Sequence, residues 1–262
     1  MDTSISVAIV GAGNVGFHLA KELEKSSQIQ LSNIVSRSLD RAQKLISELQ
    51  LSGSKPVQID NLDEVSCDVI ILSVPDQRLP DVIENSSFPK EAVVVHTSGS
   101  QPMGLLSKHP KHGVFYPFQT FTKSQQVNFK DIPIFIEGNG QSYETIQKVA
   151  RAVSTKVKKV SSENRQKVHL AAVYACNFTN HLYRIAEELL ADANLNLGDL
   201  EHLMRETVSK AVEISAAKAQ TGPAIRGDQN IIDKHLALLQ NQPDKTLVYK
   251  LLSSQITSLK DK

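Results

Sequence analysis

The chain has 262 residues, 22% of them charged and 40% hydrophobic, and its 29 Lys and Arg nearly cancel 28 Asp and Glu for a formal net charge of +1. Such a balance suits a globular protein of one large or two ordinary domains and leaves no basic field to draw nucleic acid or an anionic membrane. No apolar run reaches the about 18 residues of a membrane span, and Cys67 and Cys176 stand alone, without metal-ligand spacing, as two reduced thiols. Met1-Asp2-Thr3-Ser4 leads straight toward the first strand without a basic leader, so a cytoplasmic protein with no metal site is expected.

Val7-Ala8-Ile9-Val10 is an apolar strand running into Gly11-Ala12-Gly13-Asn14-Val15-Gly16 and then the amphipathic Phe17 to Leu23. A glycine loop alone is also an ordinary turn, but a strand before it and a helix after it mark a dinucleotide-binding βαβ unit. Gly11 permits the tight turn, Gly13 the approach of backbone to a pyrophosphate, and Gly16 the packing of helix on strand. The phosphates then lie at the helix N-terminus, near Asn14 and Val15. The second strand, Gln30 to Val35, ends in Ser36-Arg37-Ser38, where an NAD enzyme places a carboxylate about twenty positions past the glycines. Arg37 between two hydroxyls, with Arg41 one turn on, suits a 2′-phosphate and so predicts NADP; the alternative is a solvated start to the next helix.

That helix is predicted from Ser38 to Leu51, followed by a brief strand at Val57 to Ile59 and a buried parallel strand at Asp68 to Val74. The alternation predicts an α/β, doubly wound parallel sheet. Ser73-Val74-Pro75-Asp76 ends its strand at the carboxyl edge, where ligands of open α/β sheets lie, so Ser73, Val74 and Pro75 are expected to border the cofactor. Ala92 to His96 is another strand, and Thr97-Ser98-Gly99-Ser100 faces the same crevice with hydroxyls and amides for nicotinamide or substrate, or forms a plain polar turn. Gly113 to Phe121 gathers Phe115, Tyr116, Phe118 and Phe121 around Pro117; Tyr116 and Gln119 are its polar candidates for a pocket wall, and the phenylalanines also read as core. Strands at Ile132 to Gly138 and Lys156 to Val160 enclose a helix at Ser142 to Val153.

From Glu163 the period is helical. One helix of up to about 30 residues, Glu163 to Asp192, spans roughly 45 Å. It places Ala171, Ala175, Phe178, Leu182, Ile185 and Leu189 on an apolar face, with Lys167, Tyr174, Asn177, His181, Arg184 and Glu188 on a neighbouring arc that lines a cleft or faces solvent. Further helices are predicted over Leu197 to Ala219, Gln229 to Gln240 and Pro243 to Lys260. Between the first two, Thr221-Gly222-Pro223-Ala224-Ile225-Arg226-Gly227-Asp228 breaks the chain, with Asp228 as a helix cap and Arg226 set to cap or to bind a substrate carboxylate or cofactor phosphate. The expected domains are a cofactor domain over 1–160 and an all-α domain over 161–262.

Taken together, GAGNVG at 11–16, SVPD at 73–76, HTSGS at 96–100, GVFYPFQTF at 113–121, His169 to Asn177 and TGPAIRGD at 221–228 resemble an uncharacterised family of two-domain NADP oxidoreductases. These join a Rossmann domain to a helical C-terminal domain of unknown function with the 6-phosphogluconate dehydrogenase C-terminal-like fold. The likeness covers essentially the whole chain, with more distant similarity to pyrroline-5-carboxylate reductases, deazaflavin-dependent NADP reductases and prephenate dehydrogenases. It implies hydride transfer in an interdomain cleft and a homodimer through the helical domain. The chain departs from related hydroxyacid dehydrogenases, whose helix Lys is followed four residues on by Asn: Lys167 is followed by Ala171. It also carries Tyr116 where many members of the resembled family have His.

The reading is an NADP-dependent oxidoreductase acting on a small C=O or C=N substrate, with His169, Asn177 and Tyr116 as candidates for the proton donor or polarising group. Gln119 and Arg226 are the substrate-binding candidates. The alternatives are an NADP-binding protein without turnover and a dimeric interaction module.

Overall fold

The computed structural model describes residues 4–261; Met1-Asp2-Thr3, on which the expectation of no leader rests, lie outside them. Contacts divide the chain into two compact units, Met1–Ala172 and Val173–Lys262.

The first unit is an eight-stranded sheet in the order β3-β2-β1-β4-β5-β6-β7-β8. β1 (Ile5–Val10), β2 (Ile29–Ser36), β3 (Lys55–Gln58), β4 (Val69–Leu72), β5 (Val93–His96) and β6 (His112–Pro117) run parallel. β7 (Ile134–Gly138) pairs antiparallel with β6, and β8 (Val157–Lys159) follows β7's direction. The sheet is doubly wound, as expected, with its last two strands reversed. All four residues of β4 and of β5 are buried, which is why these segments read as unbroken apolar runs. Along β1, Val7 and Ile9 pack into one core layer with α1 (Asn14–Leu23), α2 (Leu39–Leu49) and α4 (Ser142–Val153). Ala8 and Val10 pack into the other, with Leu79 at the start of α3 (Leu79–Asn85), as the two-residue period of a strand requires.

The crossover that matters for ligands is at β1, which pairs with β2 on one side and β4 on the other. Successive connections leave it in opposite directions, opening a crevice at the carboxyl ends of these strands. The unit closes with α5 (Ser162–Ala172).

The continuous helix expected from Glu163 to Asp192 is interrupted. A π-helical stretch, Val173–Phe178, separates α5 from α6 (Thr179–Ala191). Here the Thr179 hydroxyl donates to the Tyr174 carbonyl five residues back at 3.2 Å, meeting the wider turn. A uniform 100° step therefore fails across this stretch; of the residues read as one apolar face, Phe178, Leu182 and Leu189 are exposed.

The rest of the second unit is helical. α7 (Glu201–Ile214) ends earlier than expected because Ser215 takes φ of 81°, a left-handed conformation that breaks the helix before the short α8 (Ala216–Ala219). α9 (Pro223–Arg226) follows Gly222, whose φ of 110° suits glycine. The Asp228 side chain then accepts from the Ile231 amide and caps α10 (Gln229–Leu238), as its position before the helix predicts. His235 of α10 meets the Tyr249 hydroxyl of α11 (Pro243–Thr257) at 2.9 Å. Among the described residues of this unit only two hydrophobic side chains, Ala224 and Leu239, are buried.

Candidate functional site

The glycine loop is held by close contact. Gly11 has φ of 114°, and a Cβ there would stand 2.6 Å from the Ser73 carbonyl oxygen; one on Gly16 would stand 2.1 Å from the Gly11 carbonyl oxygen. Both positions exclude any side chain. A Cβ on Gly13, by contrast, would meet nothing within 4 Å, so that backbone borders open space. The buried Ser73 hydroxyl donates toward the carbonyls of Val10 and Gly11 at 3.1 and 3.2 Å, bracing the loop. No side chain caps α1 at Gly13, leaving first-turn amides of the kind that bind phosphate.

A cavity of about 440 Å³ lies against this loop and brings together Gly11, Gly13, Ser36, Arg37, Ser73, Val74 and Pro75. Arg41 also lines it. Asn14, Val15, Gly16, Ser38, Thr97 and Ser98, also expected at the cofactor, are not among its lining residues. Arg78, Asp60 and Ile59 do line it and were missed, because they follow β4 and β3 at no spacing a motif records. The sterically required turn, the open Gly13 backbone and the cations at the end of β2 fit a phosphorylated dinucleotide.

A second cluster lies at the carboxyl ends of β4, β5 and β6. The Tyr116 hydroxyl on β6 is 3.1 Å from Nδ1 of His169 on α5. Gly99 passes beneath the pair, and a Cβ there would stand 2.6 Å from that nitrogen and 2.7 Å from the tyrosine oxygen. Nε2 of His169 has no partner among the described residues and is not buried without one. Burial, and then the charge of Asp76, push the Tyr116 phenol up to about 12, so it remains protonated through the physiological range.

Beside this pair, Asp76 accepts from the Ser98 hydroxyl at 2.8 Å and the Ser100 hydroxyl at 2.5 Å, both at Oδ2. Behind the turn, His96 is fully buried. Its Nδ1 accepts from the Ser98 amide at 3.2 Å, which leaves Nε2–H to donate to the Pro102 carbonyl at 3.3 Å. Burial, and then the charge of Arg165, push this imidazole down to about 4, keeping it neutral.

Arg165, four residues before His169, is 0% exposed. Its guanidinium donates to the carbonyls of Ser98 and Gln101 at 3.2 and 2.5 Å and to Glu137 at 2.8 Å. Burial acts to raise the Glu137 carboxyl, but hydrogen bonds from Ser162 and Arg165 outweigh it and hold the group below its usual range. The polar turn after β5 and the helix bearing His169 are thus fastened to one buried cation.

Gln119 is exposed, and its side-chain oxygen accepts from the Thr120 amide at 2.9 Å. Asn177, in the π-helical stretch, and Arg226, at the end of α9, are exposed residues of the second unit. Phe115 is core and Phe121 stacks on Phe129, so the phenylalanines of the aromatic motif mainly pack.

A glycine-loop α/β domain with a Tyr–His pair at its carboxyl edge defines a class, the dinucleotide-dependent oxidoreductase fold. Residues 6–99 match the family described as NADP oxidoreductase, coenzyme F420-dependent, and residues 132–256 match a domain of unknown function, DUF2520. A Bacteroides fragilis protein named "putative NADP oxidoreductase BF3122" is 36% identical, with a TM-score of 0.85 over 98% of this chain and 100% of that one. The chain belongs to that two-domain family. Protein TM1727 of Thermotoga maritima is 23% identical, with a TM-score of 0.78 over 98% of this chain and 100% of the other. An imine reductase from Myxococcus stipitatus, solved in complex with NADP+, is 14% identical, with a TM-score of 0.68 over 97% and 93% of the two chains; these two likenesses concern the fold. No curated protein matches the chain.

Proposed function

We propose that the protein is a cytoplasmic NADP-dependent oxidoreductase that moves a hydride to or from a small C=O or C=N substrate. The observation that carries this reading is the Tyr116–His169 pair at 3.1 Å, set at the carboxyl edge of a sheet whose glycine loop is shaped for a dinucleotide. In it the backbone of Gly11, Gly13, Asn14, Val15 and Gly16 holds the pyrophosphate. Ser36, Arg37 and Ser38 hold the 2′-phosphate, while Ser73, Val74, Pro75, Thr97 and Ser98 border the nicotinamide side. NADP, when bound, supplies or accepts the hydride. Tyr116, as donor, fixes His169 with its proton on Nε2, where it polarises the substrate heteroatom on which charge develops. Gln119 and Arg226 are assigned to substrate, and Asn177 is the alternative candidate for the proton donor. Residues 1–160 serve as the cofactor domain and 161–262 as the substrate and dimerisation domain.

The test is direct. Saturating NADPH should raise the melting temperature, since a ligand at about 100 times its Kd adds about 2.7 kcal/mol to a folded state it binds alone. The absence of any shift overturns the cofactor assignment. Arg37→Asp should weaken NADPH far more than NADH; equal loss of both counts against the 2′-phosphate contact. NADPH oxidation is then followed with a panel of aldehydes, ketones, imines and 2-oxo acids. Tight binding with no oxidation of any of them would leave a nucleotide-binding protein without turnover.

A homodimer through the helical domain belongs to the same proposal. Val212 is 81% and Leu238 78% exposed, and Tyr174, Phe178, Leu203 and Leu247 are more than half exposed. A unit of this size with two buried hydrophobic side chains among its described residues leaves many large apolar side chains in water, against a chain-ordering cost of about 1–2 kcal/mol per residue. A second copy burying the same faces supplies what is lacking. Sedimentation of the full chain should give twice the monomer mass, and Val212→Glu with Leu238→Glu should reduce it to one; a wild-type monomer at micromolar concentration contradicts the assignment.

A further inference from the structure

Asp76 carries a charge that the reaction as drawn does not use. Its two hydrogen bonds both fall on Oδ2. Oδ1 has no partner among the described residues and is not buried without one. The cations nearest in the chain and in the cluster are committed elsewhere: Arg78 pairs with Asp81 at 3.5 Å, and Arg165 with Glu137 at 2.8 Å. Of the other titratable groups around it, His96 is held neutral by burial and Tyr116 stays protonated. The Ser98 and Ser100 hydroxyls therefore orient a carboxylate that makes no ion pair among the described residues. It stands four residues past β4, at the carboxyl edge of the sheet; it does not itself line the cavity at the glycine loop, but Pro75 before it and Arg78 after it do.

We propose that Asp76 sets the oxidation-state preference of the cofactor: held by Ser98 and Ser100 with Oδ1 open, its carboxylate faces the nicotinamide and favours the cationic ring of NADP+ over the neutral ring of NADPH. This rests on the NADP reading above. The two cofactor forms differ by one positive charge on that ring, so a fixed carboxylate close to it would act on one and scarcely on the other. A unit charge at such a distance in a half-wet crevice changes affinity by about tenfold.

The experiment measures Kd for NADP+ and for NADPH, without substrate, on the full chain. Relative to wild type, Asp76→Asn should lower the ratio Kd(NADPH)/Kd(NADP+) about tenfold, mostly through weaker NADP+. Asp76→Glu keeps the charge and should keep the ratio within about threefold. Asp76→Ser is the second neutral variant, used if the amide fails to fold. A ratio within twofold of wild type in the folded neutral variants overturns the inference and reduces Asp76 to a tie between two turns, with NADP binding intact. A wild-type protein that binds neither form brings down this inference and the cofactor reading together, a result readily told from the first.

Discussion

Arg165→Met is expected to destabilise the first unit by about 3–5 kcal/mol, the usual consequence of removing one partner from a buried, hydrogen-bonded ion pair. The guanidinium is 0% exposed and donates to two carbonyls, a carboxylate and a hydroxyl. Methionine fills much of the volume but donates nothing, so the Ser98 and Gln101 carbonyls lose a donor and Glu137 keeps only Ser162. Each buried acceptor left unmade costs about 1–3 kcal/mol. Arg165→Lys should lose less, because an ammonium still meets Glu137 while it cannot span both carbonyls as the planar fork does.

The effect also has a pH signature. Glu137 is held below its usual range in the folded protein, so its contribution is present above the ordinary carboxylate pKa and is lost as pH falls through the depressed folded value. The gap between wild type and Arg165→Met should narrow on acidification. Urea unfolding at neutral and acid pH reads both quantities, and a neutral-pH loss below about 1 kcal/mol would show that the strut does not hold the turn.

His169→Ala should slow hydride transfer by about 10²–10⁴-fold, the range a positioned acid or base contributes. NADPH affinity should change little, since the ring meets Tyr116 and the Gly99 backbone rather than the glycine loop. Tyr116→Phe should have the smaller effect, because it leaves the imidazole in place and removes the hydroxyl that selects its tautomer. Stopped-flow single turnover separates this chemistry from binding. Wild-type hydride transfer rates in His169→Ala would move the role of donor to another group.

The parts legible in the sequence are those governed by local rules. A glycine at each tight approach of the loop and unbroken apolar runs in the central strands follow from nearest-neighbour geometry, and both stand where expected. Asp228 capping α10 is of the same kind. Arg165 was not legible, because it lies between Glu163 and Lys167 in what reads as a solvated charged face, while its partners other than Ser162 are 28 to 67 residues distant. Asp76 was quoted only as the end of a strand motif, since its pairing with Ser98 and Ser100 depends on how far β4 and β5 run before turning. The π-helical stretch is likewise invisible to a uniform helical period, which assumes the regularity it breaks.

The Arg165 strut also bears on how the chain is made. Every acceptor it satisfies except Ser162 is translated well before it, at Ser98, Gln101 and Glu137. In chain order, all eight strands have been encoded by Lys159, while the turn after β5 still lacks its donor. A product terminated at residue 160 would carry every strand and the whole glycine loop, yet leave Glu137 without its cation and His169 unmade. Completion of the nucleotide-binding half therefore waits on the first helix beyond the sheet.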